Sequence, residues 1–247
     1  MTSTHTTPAI NATVLLVPGF WLGAWAWDDV AAELRTRGFR VHAITLPGLD
    51  PADEQRQART LADQVAALRD AAASARAVSD TVLLAVHSGA GAPASALLDL
   101  EPTAVDRVVY VDSGPSSPGW AHNADFSAEH AEWPLPPFAE LPASLDGLSE
   151  AQLTEFRRRS VPEPAAVVRA AVALENPARR AVPSTVIACS FSAAELWGLA
   201  RSGHPMMAEV AQLEDVEVVD LPTGHWPMWS RPSELAEAIA RAGESRR

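Results

Sequence analysis

The sequence predicts an α/β domain with a mostly parallel six-stranded sheet, helices on both faces of the sheet and a helical lid insertion. Apolar runs of strand length alternate along the chain with amphipathic segments, and each return between parallel strands needs a helical crossover. The 247 residues with 47% hydrophobic content suffice for one large core. We predict the core over residues 1–112 and 183–247 and the insertion over residues 113–182.

The elements of the predicted core follow one another at short spacing. Each predicted strand is an apolar run bounded by turn residues, as in strands buried on both faces. Thr60 and Asp63 have the spacing of a helix-starting capping box. The predicted strands lie at residues 12–18, 39–46, 81–87, 105–111, 185–189 and 216–221. The predicted helices lie at residues 28–37, from 61 onward, up to 100, at 149–160, 164–174 and 193–213, and from 232 onward.

Residues 113–182 differ in composition from the rest of the chain. Prolines cluster between Trp133 and Phe138, and only two segments have helical patterning. We interpret this stretch as a lid over the carboxyl edge of the sheet. Its aromatic residues are candidates either for the inner face of the lid or for anchoring it, namely Trp120, Phe126, Trp133 and Phe138.

Three polar residues follow predicted strands directly, at the edge where open α/β sheets bind ligands. Ser88 ends the run at residues 81–87 (TVLLAVH) and precedes small residues, the pattern of a strained strand–turn–helix elbow that presents a nucleophile. Asp112 follows the fourth strand and His225 the last one. Together they can perform acyl transfer, because the histidine takes the serine proton while the carboxylate orients the imidazole.

Composition excludes several other function classes. The net charge of -12, without a basic stripe, argues against nucleic acid and anionic membranes as partners. The sequence contains no lysine, which excludes Schiff-base, pyridoxal-phosphate and P-loop chemistry. The histidines show no zinc spacing. We therefore expect neither a cofactor nor a metal, and a small molecule as the substrate.

The expected location is cytoplasmic. The first ten residues lack the pattern of a signal peptide, and no apolar run reaches membrane-spanning length. The lone Cys189 lies in an apolar run and is expected to be a buried structural thiol. The sequence is compatible with a homodimer.

With these landmarks the chain resembles the α/β-hydrolase superfamily over almost its whole length. The glycine-rich loop after the first strand, the serine elbow and residues 224–225 (GH) match the family landmarks in order. Residues 23–25 (GAW) and the tryptophan-rich loop resemble the small esterases that include plant methylesterases and hydroxynitrile lyases. The resemblance implies Ser88 as nucleophile, His225 as base, and the backbone amides of Phe20 and Gly89 as oxyanion hole.

The chain departs from the family pattern at three places. Val86 and Ala90 fill small positions of the usual Gly-x-Ser-x-Gly elbow. Pro18 replaces the histidine of the usual His-Gly pair in the oxyanion loop. The family commonly has its acid after the strand at residues 185–189, but some members use the preceding strand. We therefore choose Asp112, with Glu195 as the alternative and Ser192 at the commoner place.

The resulting expectation is a serine hydrolase of the carboxylesterase or lactonase type. It would cleave a small or medium apolar ester, lactone or related carbonyl compound through an acyl-enzyme. Two alternatives stay open: a non-catalytic or weakly hydrolytic ligand-binding or sensor protein, and a secondary-metabolism tailoring enzyme with non-hydrolytic chemistry. The residues expected to line the substrate pocket are Trp21, Trp25, Trp120, Trp133, Phe138 and Trp226.

Overall fold

The structure is a computed structural model that describes residues 11–244, and it contains the predicted six-stranded sheet. All six strands are parallel, in the order β2-β1-β3-β4-β7-β8. A separate antiparallel pair, β5 and β6, lies in the insertion. The strands are β1 (Ala12–Val17), β2 (Arg40–Ala43), β3 (Thr81–His87), β4 (Arg107–Val111), β5 (Glu132–Trp133), β6 (Glu163–Pro164), β7 (Ser184–Ala188) and β8 (Val216–Asp220).

Helices cover both faces of the sheet, as predicted. Side chains of α2, α3 and α6 pack on one face in a single apolar cluster, and those of α1 and α8 pack on the other. Successive strand residues alternate between these clusters, as pleated strands buried on both faces require. The helices are α1 (Asp28–Thr36), α2 (Leu61–Arg76), α3 (Gly91–Leu100), α4 (Glu150–Arg159), α5 (Ala165–Arg169), α6 (Ala193–Arg201), α7 (Pro227–Ser230) and α8 (Pro232–Glu244).

Two predicted helices are shorter than expected. The helix predicted over residues 193–213 ends at Arg201, because Gly203 has a φ of 76° and Pro205 follows. A 3-10 turn, Ala208–Gln212, then occupies the end of the predicted range. The segment between the end of this helix and the 3-10 turn has no regular structure, and it borders the cavity next to Ser88.

The helix predicted over residues 164–174 stops at Arg169. Val172 instead makes backbone hydrogen bonds of 2.8 Å with Gly119 and Trp120. This pairing ties the two ends of the insertion together, and periodicity alone gave no signal of it.

The insertion lies against loops that follow the carboxyl ends of strands. Val161 donates its N–H to the carbonyl of Trp21 after β1. His225, after β8, donates its N–H to the carbonyl of Ser144 at 2.8 Å. Because parallel strands have their carboxyl ends at one edge, these contacts put the segment across that edge. The domain boundaries at residues 112 and 183 stay a prediction.

The expectation for the first ten residues lies outside the described part of the chain. Among residues 11–244, no helix combines the length and the apolar character needed to cross a membrane.

Candidate active site

Ser88 lies in a tight turn between β3 and α3. Its φ of 52° is in the left-handed region, which costs a non-glycine residue about 1–3 kcal/mol. A Cβ on Gly19 would lie 2.7 Å from Ser88 Cβ, and one on Gly89 would lie 2.6 Å from the Phe20 ring. The two glycines therefore allow the loop after β1 to pack directly on the turn.

Val86 and Ala90, at the positions where the family usually has glycine, are accommodated as buried core residues on the α2 and α3 face. The next residue, Gly91, makes a close approach of its own, because a Cβ there would lie 2.6 Å from the carbonyl oxygen of Gly114 in the loop after β4.

His225 and Asp112 complete a hydrogen-bonded chain with Ser88. His225 Nε2 lies 2.8 Å from Ser88 Oγ, and His225 Nδ1 lies 2.5 Å from Asp112 Oδ2. Because an ionised carboxylate can only accept, the proton of the neutral ring is assigned to Nδ1. Nε2 is then free to accept the serine proton, which is the geometry of general-base activation.

The end of β7 holds the Asp112 carboxylate in place. Its Oδ1 accepts the backbone N–H groups of Cys189 at 3.0 Å and Ser190 at 2.9 Å, and its Oδ2 accepts the Ser190 hydroxyl at 2.6 Å. Burial alone raises the pKa of this carboxyl group, but the bonds from His225 and Ser190 outweigh it and the pKa is lowered. The carboxylate is therefore ionised at neutral pH.

Glu195, the alternative acid, is a helix cap. Its carboxylate accepts the N–H and the hydroxyl of Ser192 at 2.7 and 2.8 Å. Ser192 Oγ in turn accepts the Glu195 N–H, which completes a capping box at the start of α6. The side chain is exposed, and the structure brings Asp112, not Glu195, to His225.

His87, beside the serine, supports the backbone of His225. Gly19 N–H lies 3.4 Å from His87 Nδ1, so the proton is assigned to Nε2, which donates to the carbonyl oxygen of His225 at 2.7 Å. Burial, with the nearby His225, lowers the pKa of His87 to about 3. The ring stays neutral and both of its nitrogens are paired.

Ser88 and His225 border a cavity of about 460 Å³. Its walls come from the loop after β1, from the insertion and from the break after α6, and they are largely apolar. The predicted pocket residues that line it are Trp21, Trp120, Trp133 and Trp226. Lining residues that sequence reasoning missed include His122, Leu141, Phe191, Met206 and Met207. Gly203 and Pro205, which end a helix, could have indicated that Met206 and Met207 lie in a loop instead of in a helix. No pattern in the sequence singled out His122.

The prediction that Trp25 and Phe138 line this cavity was wrong. Each ring packs against another aromatic ring and lies under an arginine, since an aromatic face can be covered by a second ring or by a guanidinium group as well as by a ligand. Trp25 stacks on Trp229 with centroids 5.5 Å apart and Arg159 4.3 Å above it; Phe138 packs 5.6 Å from Phe156 with Arg157 4.4 Å above it. Phe126 lies outside the lining too, 5.9 Å from His130.

Cys189 is buried and unbridged. Burial and, to a smaller extent, the negative charge of Asp112 raise the pKa of the Cys189 thiol. The thiol is therefore protonated at neutral pH and is not a nucleophile. In residues 11–244 no group of three or more His, Cys, Asp or Glu side chains is arranged to hold a metal ion.

The fold and the Ser–His–Asp geometry define an α/β-hydrolase-type site. The model of the alpha/beta hydrolase family matches residues 14–238, and the chain belongs to that family.

Individual relatives are similar to different extents. Methylesterase 7 of Arabidopsis thaliana is 34% identical over 101 residues, which span 39% of this chain and only 38% of that protein. An extracellular α/β-hydrolase from a Paenibacillus species, with structural and functional homology to tobacco salicylic acid binding protein 2, superposes with a TM-score of 0.73 at 21% identity, over 94% of this chain and 99% of that one. A variant of tomato methylketone synthase I in complex with β-ketoheptanoate has a TM-score of 0.70 at 15% identity, over 98% and 100% of the two chains. The two structural likenesses show the shared fold.

Proposed function

We propose that the protein is a serine esterase that cleaves a small or medium apolar ester, lactone or related carbonyl compound through an acyl-enzyme. The observation that carries this proposal is the chain of hydrogen bonds from Ser88 through His225 to Asp112 at the edge of an apolar cavity. The similarity to Methylesterase 7 supports an ester with a short alcohol part.

The proposed reaction starts when Ser88 Oγ attacks the carbonyl carbon of the ester. His225 Nε2 takes the hydroxyl proton and returns it to the departing alcohol, and the ionised Asp112 stabilises the imidazolium between these steps. Water, activated by the same imidazole, then cleaves the acyl-enzyme and releases the acid. In both steps the C–O bond that forms and the one that breaks belong to the same carbonyl centre.

The backbone N–H groups of Phe20 and Gly89 are the proposed oxyanion donors. Their support is the contact between the Phe20 ring and the Gly89 backbone, which holds the loop after β1 against the serine turn. In other enzymes the loss of one such donor costs about 3 kcal/mol in the transition state. A side chain at position 89 would separate the two segments, since its Cβ would lie 2.6 Å from the Phe20 ring.

The walls of the cavity support a neutral substrate. No arginine is among the lining residues in the described part of the chain, and the sequence contains no lysine. A carboxylate in such a site would lose hydration without gaining a cationic partner, so the free acid should bind more weakly than the ester. The reaction product is then released readily. We propose residues 113–182 as the lid that sets the shape of this cavity.

Replacement of Ser88 by alanine tests the function. We expect hydrolysis of short-chain aryl and alkyl esters to fall by about 10⁴ to 10⁶-fold, as in other serine hydrolases. A fluorophosphonate probe should label the wild-type protein at Ser88 and should label His225→Ala far more slowly. Ser74→Ala, an exposed serine on α2, is the matched control and should behave as wild type.

Undiminished hydrolysis by Ser88→Ala would refute the proposal that the protein is a serine esterase with Ser88 as its nucleophile. A folded wild-type protein that neither hydrolyses esters nor reacts with the probe would instead be the ligand-binding alternative. Product analysis by mass spectrometry separates hydrolysis from a non-hydrolytic tailoring reaction at the same residues.

We also propose a cytoplasmic location, for which the support is the buried, unbridged Cys189. One structural relative is extracellular, so fractionation of the producing cells is the relevant measurement. The net charge of -12 supports the absence of a nucleic-acid partner.

A further inference from the structure

His122 is an imidazole on the cavity wall that the proposed esterase mechanism does not use. We propose that His122 determines specificity by hydrogen-bonding a neutral hydroxyl or carbonyl group that the substrate carries away from its reacting carbonyl, an inference that rests on the proposed function. The substrate class is thereby narrowed from apolar esters in general to neutral esters with a second polar group.

Three aromatic rings surround the imidazole. The His122 ring centroid lies 4.6 Å from that of Phe20, 4.9 Å from that of Trp133 and 6.0 Å from that of Trp120. The Phe20 ring is nearly perpendicular to it, at 72°. These contacts fix the position of the imidazole without occupying its nitrogen atoms.

The three histidines that line the cavity differ in their hydrogen bonds. His87 pairs both of its ring nitrogens, and so does His225. The nitrogens of His122 have no hydrogen-bond partner within residues 11–244. A polar group without a protein partner, beside an apolar cavity, gains most from a ligand that supplies one.

The charge state of the ring selects the kind of group that it can bind. The residue as a whole is exposed, but three aromatic rings shield part of its imidazole from water, and this partial desolvation lowers the pKa of His122. The ring is therefore neutral at pH 7 and offers one donor and one acceptor. Such a ring complements a hydroxyl or a carbonyl, whereas a carboxylate would need a cation.

Phe20 connects His122 with the reacting centre. The Phe20 ring packs on the backbone of Gly89, next to Ser88, and its shortest ring contact, 4.6 Å between centroids, is with the imidazole of His122. His122 therefore lies about one aromatic ring beyond the proposed oxyanion hole. A cavity of about 460 Å³ is within the range of small-molecule sites, so a substituent on a small aromatic ester can reach that distance.

Binding of ligands that cannot be cleaved tests the inference separately from hydrolysis. We would measure by calorimetry the affinity of Ser88→Ala for a phenyl ketone and for its ortho-, meta- and para-hydroxylated isomers. The best isomer should bind about 2- to 10-fold more tightly than the parent, the range expected of one net hydrogen bond. In the double variant with His122→Phe, which keeps an aromatic ring at this place but has no nitrogens, this preference should vanish, so that the parent and the hydroxylated isomers bind equally well.

His130→Phe is the matched control, because His130 is a second exposed histidine of the insertion outside the cavity. It should leave the preference intact, and melting temperatures should show that all variants fold. With the Ser88 hydroxyl present, the ratio of kcat/KM for hydroxylated and parent esters should fall in His122→Phe by the same factor.

Two results would overturn the inference: no isomer preferred by Ser88→Ala, or equal losses of affinity for parent and hydroxylated ketones in the double variant. A His122-dependent preference in a protein that cleaves no ester would keep the inference and refute the proposed function.

Discussion

The two sides of the cavity are held in different ways. The floor, which we define as Ser88, Asp112 and His225, is fixed by hydrogen bonds of 2.5 to 3.0 Å that join the ends of four strands, β3, β4, β7 and β8. The roof, defined as the aromatic side chains of the insertion that line the cavity, is held by ring contacts of 4.5 to 6.0 Å between centroids. Directional bonds demand particular residue types at particular places, whereas ring packing accepts many partners.

Among the variants that test this comparison, Asp112→Asn in the floor should have the largest effect on the reaction. We expect kcat to fall by about 10⁴-fold, because an amide in this place supports the wrong imidazole tautomer. Steady-state kinetics on an aryl ester would measure it. Glu195→Gln, in the first turn of α6, is the matched carboxylate control, and it should change kcat by less than about twofold, because a glutamine oxygen can still accept the capping bonds from Ser192 and the side chain does not touch His225. The reverse ranking of the two variants would make Glu195 the acid.

The floor could be predicted from sequence because topology alone puts strand ends together. A serine in a small-residue turn, an aspartate after β4 and a histidine after β8 all fall at one edge of such a sheet. The sequence left Glu195 as an alternative acid, and it is the structure that brings Asp112 to His225. What could not be predicted is that Ser190, near the commoner place of the acid, donates its hydroxyl to Asp112. That contact joins two strand ends and depends on side-chain rotamers, on which periodicity gives no information.

The roof could not be predicted to the same depth. Aromatic residues in residues 113–182 were expected to line the cavity, and Trp120 and Trp133 do, but Phe138 lies under Arg157 instead. Both environments bury an aromatic face, so composition cannot distinguish them. Met206 and Met207 border the cavity only because the chain breaks after α6.

A smaller effect is expected on the roof side from Trp133→Phe. Its indole contacts Trp21 at 4.5 Å, His122 at 4.9 Å and Phe20 at 5.6 Å between centroids. The smaller ring removes part of these contacts, each worth about 0.5–1.5 kcal/mol, so KM for a small aryl ester should rise by about 2- to 10-fold with kcat nearly unchanged. Trp25→Phe, outside the cavity, should leave KM unchanged. If both variants raise KM equally, the effect comes from general loosening and the distinction between lining and anchoring residues fails.

The smallest effect on the reaction is expected where the insertion joins the core, because a change there acts on stability. Glu163 in β6 is buried and accepts a hydrogen bond from Gln64 of α2 at 3.1 Å, while its Oε2 has no partner at normal hydrogen-bond geometry within residues 11–244. Burial raises the pKa of Glu163 from 4.5 to about 8. The unfolded chain thus loses this proton near pH 4.5 while the folded chain keeps it to about pH 8, so the contribution of this group to stability falls as pH rises between those values.

In Glu163→Gln this fall should disappear, because the amide stays neutral. We expect the melting temperature of the variant to gain on that of wild type between pH 5 and pH 9, by on the order of 10 °C, since each pH unit below the folded pKa is worth about 1.4 kcal/mol and each kcal/mol shifts Tm by about 2–4 °C at this chain length. Glu129→Gln, an exposed carboxylate of the insertion, should parallel wild type throughout. Parallel melting curves for Glu163→Gln as well would mean that Glu163 is already ionised at neutral pH, and that the joint between insertion and core is hydrated.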